Sequence, residues 1–211
     1  MAIFPSNTRV LRFPLDRSLG WLFILNARET GNRRNTGGTA WEREQRFAAH
    51  GIVELPSDLP LELWYTGGRR ADLTPLRSFQ PDDLLKLTLA FCDVNDAALV
   101  DLSHLTALRY LDLTDTNIMG EGLAYLHALT VLEGLRLAYS KVSDIGLVHL
   151  YGLTSLQELD LSGTAITDAG LMHLHQLIDL QFLWLAGTSV TTEGLVALQM
   201  ALPNCMIEGF S

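Results

Sequence analysis

The chain has 211 residues, 48% of them hydrophobic and 18% charged, and a formal net charge of −9. This apolar content can form a core, so intrinsic disorder is excluded as the default state. The longest apolar run near the N-terminus, residues 21–25, is too short for a membrane span and lacks the residue order of a signal peptide. We therefore expect a cytoplasmic protein that makes no membrane contact.

The charge changes sign along the chain. Residues 1–80 contain 11 Lys/Arg and 8 Asp/Glu, a net charge of +3, whereas residues 81–211 contain 4 and 16, a net charge of −12. Because the hydrophobic pattern changes at the same place, we predict an N-terminal cap, residues 1–80, and a repeat array, residues 81–211. The alternative for the first part is a domain with its own function.

Within the cap, two similar segments lie 42 residues apart. Residues 10–16 match residues 52–58, and residues 19–23 match residues 61–65. Each copy is predicted to form a strand, a proline-containing turn and a second strand. We expect this strand-rich cap to cover the first coil of the array, whose leucines would otherwise face water.

Two further elements are predicted between these copies. Residues 40–50 are expected to form a helix, with Thr39 as its cap and Gly51 as its stop. Residues 29–38 are polar and rich in glycine, which predicts a mobile loop ahead of that helix.

The array repeats with a period of 24 residues over about five coils, followed by a terminal strand near Cys205. Several apolar positions keep the same register in every coil. The clearest series are Leu87, Leu111, Leu135, Leu159 and Leu183; Leu89, Leu113, Leu137, Leu161 and Leu185; and Leu99, Leu123, Leu147, Leu171 and Leu195.

Each coil has a strand half and a helical half. Alternation around the first two leucines predicts a short strand with one buried face, and leucines at i and i+3 some ten residues later predict a helix. Helix starts are marked by a capping hydroxyl followed by a carboxylate, as in Ser143-Asp144 and Thr167-Asp168. The coil containing residues 119–120 lacks this signal and should have the weakest helix start.

The turn between strand and helix carries a small polar or thiol side chain. Such a side chain can bond backbone groups that the turn leaves unpaired. The residues at this position are Cys92, Thr116, Ser140, Thr164 and Thr188.

The pattern L-x-x-L-x-L-x-x-[C/T/S]-x-[I/V], followed by [T/S]-D-x-G-L-x-x-L in its best copies, resembles leucine-rich-repeat proteins. The nearest subtype is the ribonuclease-inhibitor-like one, with bacterial-type 24-residue repeats. The resemblance covers about residues 81–210. It implies an α/β solenoid with a curved parallel sheet inside and helices outside, and it implies protein binding without identifying a ligand.

We find no motif for catalysis in the sequence: no glycine-rich phosphate loop, no Gly-x-Ser-x-Gly elbow and no zinc-binding helix. Asp96, Asp144 and Asp168 share one repeat position, which favours helix capping over acid–base catalysis. We therefore expect neither an enzyme nor a bound cofactor.

Histidine and cysteine give no metal signal. His149 and His173 share a repeat position near His175, but His173 and His175 would point about 200° apart on a helix. Solvated histidines are therefore favoured over a metal site. Cys92 and Cys205 should lie on the order of 20 Å apart, which predicts two free thiols.

The strongest functional signal lies on the face of the sheet that the leucines leave open. Residues flanking the buried leucine of each strand should point to this face, because strand side chains alternate. Aromatic and Arg side chains ringed by polar ones are typical of an interface hot spot. The alternative is that the apolar members only pack against Phe210 and the chain end. The predicted partner-binding residues are Tyr110, Asp112, Arg136, Tyr139, Glu158, Asp160, Phe182, Trp184 and Met206.

These patterns favour a non-catalytic protein-protein interaction module that binds another protein through its concave face. An architectural role is one alternative. Another is nucleic-acid binding through the cap, but interspersed glutamates dilute its positive charge and the acidic array repels a polyanion. The cap arginines are Arg28, Arg33, Arg34, Arg43 and Arg46, near Trp41.

The C-terminal end of the array also bears on partners. The strand near residues 205–208 is expected to leave one backbone edge unpaired. This edge favours a weak homodimer.

Overall fold

The computed structural model describes residues 8–13, 20–28, 40–49, 52–56, 61–66 and 71–209. Nine strands within these segments form one sheet in the order β11-β10-β9-β8-β7-β6-β5-β2-β3, and β1 pairs with β4 in a separate antiparallel sheet. The strands are β1 (Thr8–Arg12), β2 (Gly20–Arg28), β3 (Ala40–Ala48), β4 (Ile52–Pro56), β5 (Leu61–Tyr65), β6 (Leu84–Thr88), β7 (Tyr110–Asp112), β8 (Gly134–Arg136), β9 (Glu158–Asp160), β10 (Phe182–Trp184) and β11 (Met206–Glu208).

The larger sheet is parallel from β5 to β11. From β6 onward, paired residues are 24 positions apart, so Leu87 pairs with Leu111 and the series continues to Ile207. The leucine at the centre of each strand from β7 to β10 is almost fully buried, as is Leu87 in β6. The predicted parallel strands and their buried face are therefore confirmed. The second leucine of each pair, such as Leu89, lies one residue beyond its strand and is buried too.

The side opposite the parallel strands carries short helical segments. Leucines at i and i+3 suit the three-residue period of a 3-10 helix as well as an α-helix, and both types occur. The α-helices are α1 (Asp144–Leu147), α2 (Asp168–Leu171) and α3 (Thr192–Ala201); the 3-10 helices are Thr74–Ser78, Asp96–Leu102, Glu121–Leu126, Val148–Leu150 and Met172–Leu174.

The aspartates at the helix starts bond the next coil rather than their own. Asp144 Oδ1 accepts a hydrogen bond from the backbone nitrogen of Thr167, at 2.8 Å, and Asp168 does the same in the following coil. The predicted local cap is present at Thr167, whose hydroxyl accepts from the Ala169 nitrogen at 3.2 Å. It is wrong at Ser143, whose side chain makes no capping bond.

The coil that begins at Gly120 lacks a cap of its own, as predicted. The cap comes from the preceding coil instead: Asp96 Oδ1 accepts from the backbone nitrogens of Gly120, at 3.0 Å, and Gly122, at 2.6 Å. Helix starts in this array are thus satisfied by the neighbouring coil, which ties successive coils together.

The turn hydroxyls act as predicted. Those of Thr116, Ser140, Thr164 and Thr188 donate to the carbonyl oxygen three residues earlier, at 2.5–2.7 Å. Cys92 at the same position donates to the Ala90 carbonyl, at 3.5 Å. Each turn therefore satisfies one buried carbonyl locally.

The helix predicted for residues 40–50 is wrong. Residues Ala40–Ala48 form β3, which pairs with β2 in an antiparallel ladder along nearly the whole of its length. Only Gly20–Ile24 of β2 pair with β5 on the other edge. Because β2 offers a long row of backbone partners, tertiary pairing overrides local helix propensity here. The predicted capping residue Thr39, the stop at Gly51 and the loop at residues 29–38 lie outside the described residues.

Strands of the N-terminal segment join the repeat coils directly. β5 pairs antiparallel with β2 and parallel with β6, so the sheet is continuous between them. Arg9 of β1 bonds Asp83, just before β6, at 2.6 Å, and both side chains are largely buried. Phe13 packs edge-on against Phe79, with ring centroids 5.7 Å apart. One hydrophobic core runs through both parts.

Both cysteines are free thiols and both are buried, as predicted. Burial raises the pKa of each thiol, and that of Cys205 to about 11. In the described segments, no helix is long and apolar enough to cross a membrane.

Candidate functional site

The parallel strands present one face to the core and one away from it. The residues flanking each central leucine point away from the leucine core, and we call this surface the open face. Its two rows are in register because the strands pair every 24 residues. They comprise Lys86, Tyr110, Gly134, Glu158, Phe182 and Met206 in one row, and Thr88, Asp112, Arg136, Asp160, Trp184 and Glu208 in the other.

A groove of about 550 Å³ occupies the N-terminal half of the open face, between β5 and β9. Its walls combine aromatic rings with charges of both signs, which suits the recognition of a polar ligand with an apolar or flat portion. The side chains used below are Glu62, Trp64, Lys86, Phe91, Tyr110, Asp112, Arg136 and Glu158.

Tyr110 forms the floor of this groove. Its ring lies over Gly134 of the next strand, where an added Cβ would be only 2.5 Å from Tyr110 Cδ1. Lys86 Nζ lies 4.7 Å from the ring centroid, a cation–π contact. Burial raises the pKa of Tyr110 to about 12, and the negative charges of Glu133 and Glu158 raise it further in the same direction. The phenol therefore stays neutral at physiological pH.

Two aromatic residues follow the strands in an unusual backbone conformation. Phe91 and Tyr139 have φ angles of 63° and 58°, a left-handed region that costs a bulky residue about 1 kcal/mol or more. Their side chains are nevertheless 73% and 67% exposed. The equivalent positions in two later coils are Gly163 and Gly187, with φ angles of 66° and 71°. Glycine therefore suits this turn, and the two aromatic side chains are held exposed at a conformational cost.

The carboxylates of the open face are only partly occupied. Asp112 and Asp160 each accept one backbone hydrogen bond through Oδ1, from Thr114 and Ser162, both at 3.0 Å. Within the described segments neither has an ion pair within 4.0 Å. Arg136 lies in register between them and is exposed, and it too lacks an ion pair there. These charges are available to a partner.

The C-terminal end of the open face carries a second, apolar cluster. Phe182 and Trp184 stack with ring centroids 5.9 Å apart and an interplanar angle of 12°. Both are half-buried, whereas Met206, paired with Phe182 on β11, is 57% exposed. Phe210, which was the alternative packing partner for this cluster, lies outside the described residues.

A sequence comparison with protein-family models matches a leucine-rich repeat model at residues 104–126 and 152–174. These two segments fall in the coils whose strands and helical turns are described above. The fold is a leucine-rich-repeat solenoid.

Solved leucine-rich-repeat structures are similar to this solenoid. Internalin C2 from Listeria monocytogenes is 25% identical over 67% of this chain, with a TM-score of 0.55. Internalin InlF from the same organism is 22% identical over 66%, with a TM-score of 0.55, and TLR13 in complex with ssRNA13 is 22% identical over 71%, with a TM-score of 0.58. The matches cover 59%, 39% and 22% of those three chains, less than two thirds of each. No curated protein matches the chain in sequence.

The solenoid divides the predicted site residues between two places. The groove contains Tyr110, Asp112, Arg136 and Glu158, and the apolar cluster contains Phe182, Trp184 and Met206. Asp160 lies between them on β9, and Tyr139 lies beyond β8 with its ring against Gly163.

Sequence reasoning did not assign Glu62, Trp64, Lys86 or Phe91 to the site. The first two stand on β5, whose place beside β6 follows no 24-residue repeat. Lys86 and Phe91 could have been found from their positions in and just after a repeat strand. No group of His, Cys, Asp and Glu in the described part of the chain could hold a metal ion.

Proposed function

We propose that this leucine-rich-repeat solenoid is a non-catalytic interaction module that binds a protein partner through its concave, open face. Leucine-rich-repeat folds typically serve as interaction modules rather than enzymes. The proposed contact residues are those predicted from the sequence, together with the groove side chains of β5 and β6. They are Tyr110, Asp112, Arg136, Tyr139, Glu158, Asp160, Phe182, Trp184 and Met206, with Trp64, Lys86 and Phe91 added.

The observation that carries this proposal is the pair Phe91 and Tyr139. Each holds a large ring in solvent from a left-handed backbone position that later coils give to glycine. Backbone strain of this kind persists where the side chain has a use, and aromatic side chains are frequent anchors at interfaces. Both flank the open face, beside charged groups that lack ion pairs within the described residues.

The nucleic-acid alternative gains no comparable support. TLR13 is described in complex with ssRNA13, but at 22% identity the likeness concerns the fold alone. Of the cap arginines, Arg28 is on β2 and Arg43 and Arg46 are on β3, while Arg33 and Arg34 lie outside the described residues. The acidic array opposes binding of a polyanion.

Four finer points also stay proposals. We propose the ribonuclease-inhibitor-like subtype, supported by the α-helical turns of the last three coils. The division into a cap at 1–80 and an array at 81–211 is supported by the change of charge and pattern. A cytoplasmic location agrees with two free thiols. A weak homodimer would pair β11, the last strand of the described sheet order.

A capture experiment tests the binding proposal. The wild-type chain, Trp184→Ala and Met172→Ala would each be immobilised and exposed to lysate of the source organism, with retained proteins quantified by mass spectrometry. Met172 is 64% exposed on the helical side and is the matched control. We expect a partner that wild type and Met172→Ala retain and Trp184→Ala loses. A partner lost only by Met172→Ala would place binding on the helical side and overturn the proposal.

A further inference from the structure

We propose that the groove on the open face receives an Arg or Lys side chain from an extended, basic segment of the protein partner. This inference rests on the proposed function and specifies the chemistry of the partner. It concerns the groove between β5 and β9, rather than the apolar cluster of Phe182, Trp184 and Met206.

The charge of the open face favours a cation. Its two rows hold Asp112, Glu158, Asp160 and Glu208 against Lys86 and Arg136. Asp112 and Glu158 line the groove and have no ion pair within 4.0 Å in the described segments. The array as a whole carries −12, which steers a positively charged segment toward it.

The walls of the groove suit a cationic side chain with a flat or aliphatic portion. Trp64 Nε1 donates to Glu62 Oε1 at 2.6 Å, which fixes the indole and uses its N–H. The ring of Trp64 is 36% exposed and that of Phe91 is 73% exposed. Aromatic faces attract guanidinium and ammonium groups, as Lys86 over Tyr110 already illustrates within this groove.

A carboxylate lies beside these rings to complete the contact. Asp112 uses Oδ1 to hold the Thr114 nitrogen, which fixes the carboxylate and leaves Oδ2 for a ligand. The charge of Glu158 is felt at the groove floor, where it contributes to the raised pKa of Tyr110. Exposed Arg136 can donate hydrogen bonds to backbone carbonyls of the bound segment.

The dimensions indicate an extended segment. The groove crosses five neighbouring strands, from β5 to β9, and adjacent strands are about 4.8 Å apart. The distance across it is therefore about 19 Å, the length of about six residues of extended chain.

A short peptide provides the probe. The acetylated, amidated hexapeptide Gly-Ser-Arg-Arg-Ser-Gly would be titrated into the labelled full chain and followed by nitrogen–proton NMR. Matched peptides carry citrulline or glutamate in place of arginine. Citrulline keeps the shape of arginine and removes its charge. The double variant Asp112→Asn/Glu158→Gln removes two groove charges, and Asp179→Asn/Glu193→Gln removes two exposed charges outside the groove.

We expect the arginine peptide to bind about tenfold more tightly than the citrulline peptide, and the groove variant to lose about tenfold in affinity. The control variant should change by about twofold or less. The indole resonance of Trp64 should shift while that of Trp184 stays in place, which locates the peptide. The NMR spectrum of each variant shows whether it is folded.

Three results would overturn the inference: equal losses in both double variants, equal binding of the citrulline peptide, or tighter binding of the glutamate peptide. Equal losses would mean diffuse attraction to the acidic array. If the arginine peptide fails to bind while a captured partner still depends on Trp184, the basic segment is wrong and the proposed function stands.

Discussion

Gly170 packs so closely against Asp144 of the preceding coil that a Cβ on Gly170 would lie under 3.0 Å from Asp144 Oδ1. The same carboxylate accepts hydrogen bonds from the backbone nitrogen and hydroxyl of Thr167, at 2.8 and 2.7 Å. Gly194 has the same relation to Asp168 one coil later. The glycine in the T/S-D-x-G-L pattern thus makes room for a cap supplied by the coil before it.

Gly170→Ala should therefore destabilise the protein by about 1–3 kcal/mol, because the methyl group displaces the Asp144 carboxylate from its hydrogen bonds. Chemical unfolding followed by circular dichroism measures this. Gly152→Ala is the matched control, since nothing lies within 4 Å of a Cβ there; it should leave stability unchanged or raise it by up to about 1 kcal/mol. Equal effects at both positions would contradict this account of the repeat glycine.

Much of the solenoid follows from the sequence because its contacts repeat every 24 residues. A position such as Leu111 has the same environment in each coil, so periodicity reveals both its burial and the row of open-face residues beside it. Strand β3 was missed because its pairing with β2 is not local and the segment alone favours a helix.

The site was predictable only in part, for related reasons. Trp64 joins the groove through the contact of β5 with the first coil, which no repeat encodes. The Asp96 cap was assigned to its own helix because a capping motif shows spacing but not which coil accepts it. The left-handed turn at Phe91 is signalled by glycine at the matching positions 163 and 187.

Phe91→Gly should lower binding without lowering stability. Glycine removes the left-handed strain, worth about 1 kcal/mol, and its greater freedom in the unfolded chain offsets about 0.4–1 kcal/mol of that gain. Phe91→Ala removes the same ring but keeps the strain, so it should be less stable than Phe91→Gly by an amount that urea unfolding can resolve. A loss of several kcal/mol in Phe91→Gly would show that the ring packs structurally.

Tyr110 should titrate later than an ordinary tyrosine. Its pKa is raised to about 12 in the folded protein, against about 10 in the unfolded chain. Between these values the unfolded chain loses the proton first, so the free energy of unfolding falls as pH rises through this window. Ultraviolet titration of the five tyrosines should show a late component that Tyr110→Phe removes.

The neighbouring charges offer a second check on Tyr110. Glu158→Gln should lower the pKa of Tyr110, because one negative charge near the phenol is removed. Glu193→Gln, at an exposed helix position outside the groove, should leave it unchanged. Titration of Tyr110 together with the other tyrosines near pH 10 would contradict its burial in the groove floor.

The two thiols should be unreactive in the native protein. Cys92 and Cys205 are 6% and 4% exposed, and burial raises the pKa of both, so little thiolate is present or accessible near neutral pH. A colorimetric thiol reagent should detect no reaction in native buffer and both thiols after unfolding. Rapid reaction of either native thiol would show that its coil opens readily.

The most direct test of open-face binding is the affinity of the purified partner for matched variants. Trp184→Ala should weaken binding by about 2 kcal/mol, or about thirtyfold, with little change in melting temperature, because Trp184 is half-buried on the open face. Met172→Ala, on the helical side, should bind like wild type. Unchanged affinity in Trp184→Ala with a loss in Met172→Ala, or a large fall in the melting temperature of Trp184→Ala, would contradict the account.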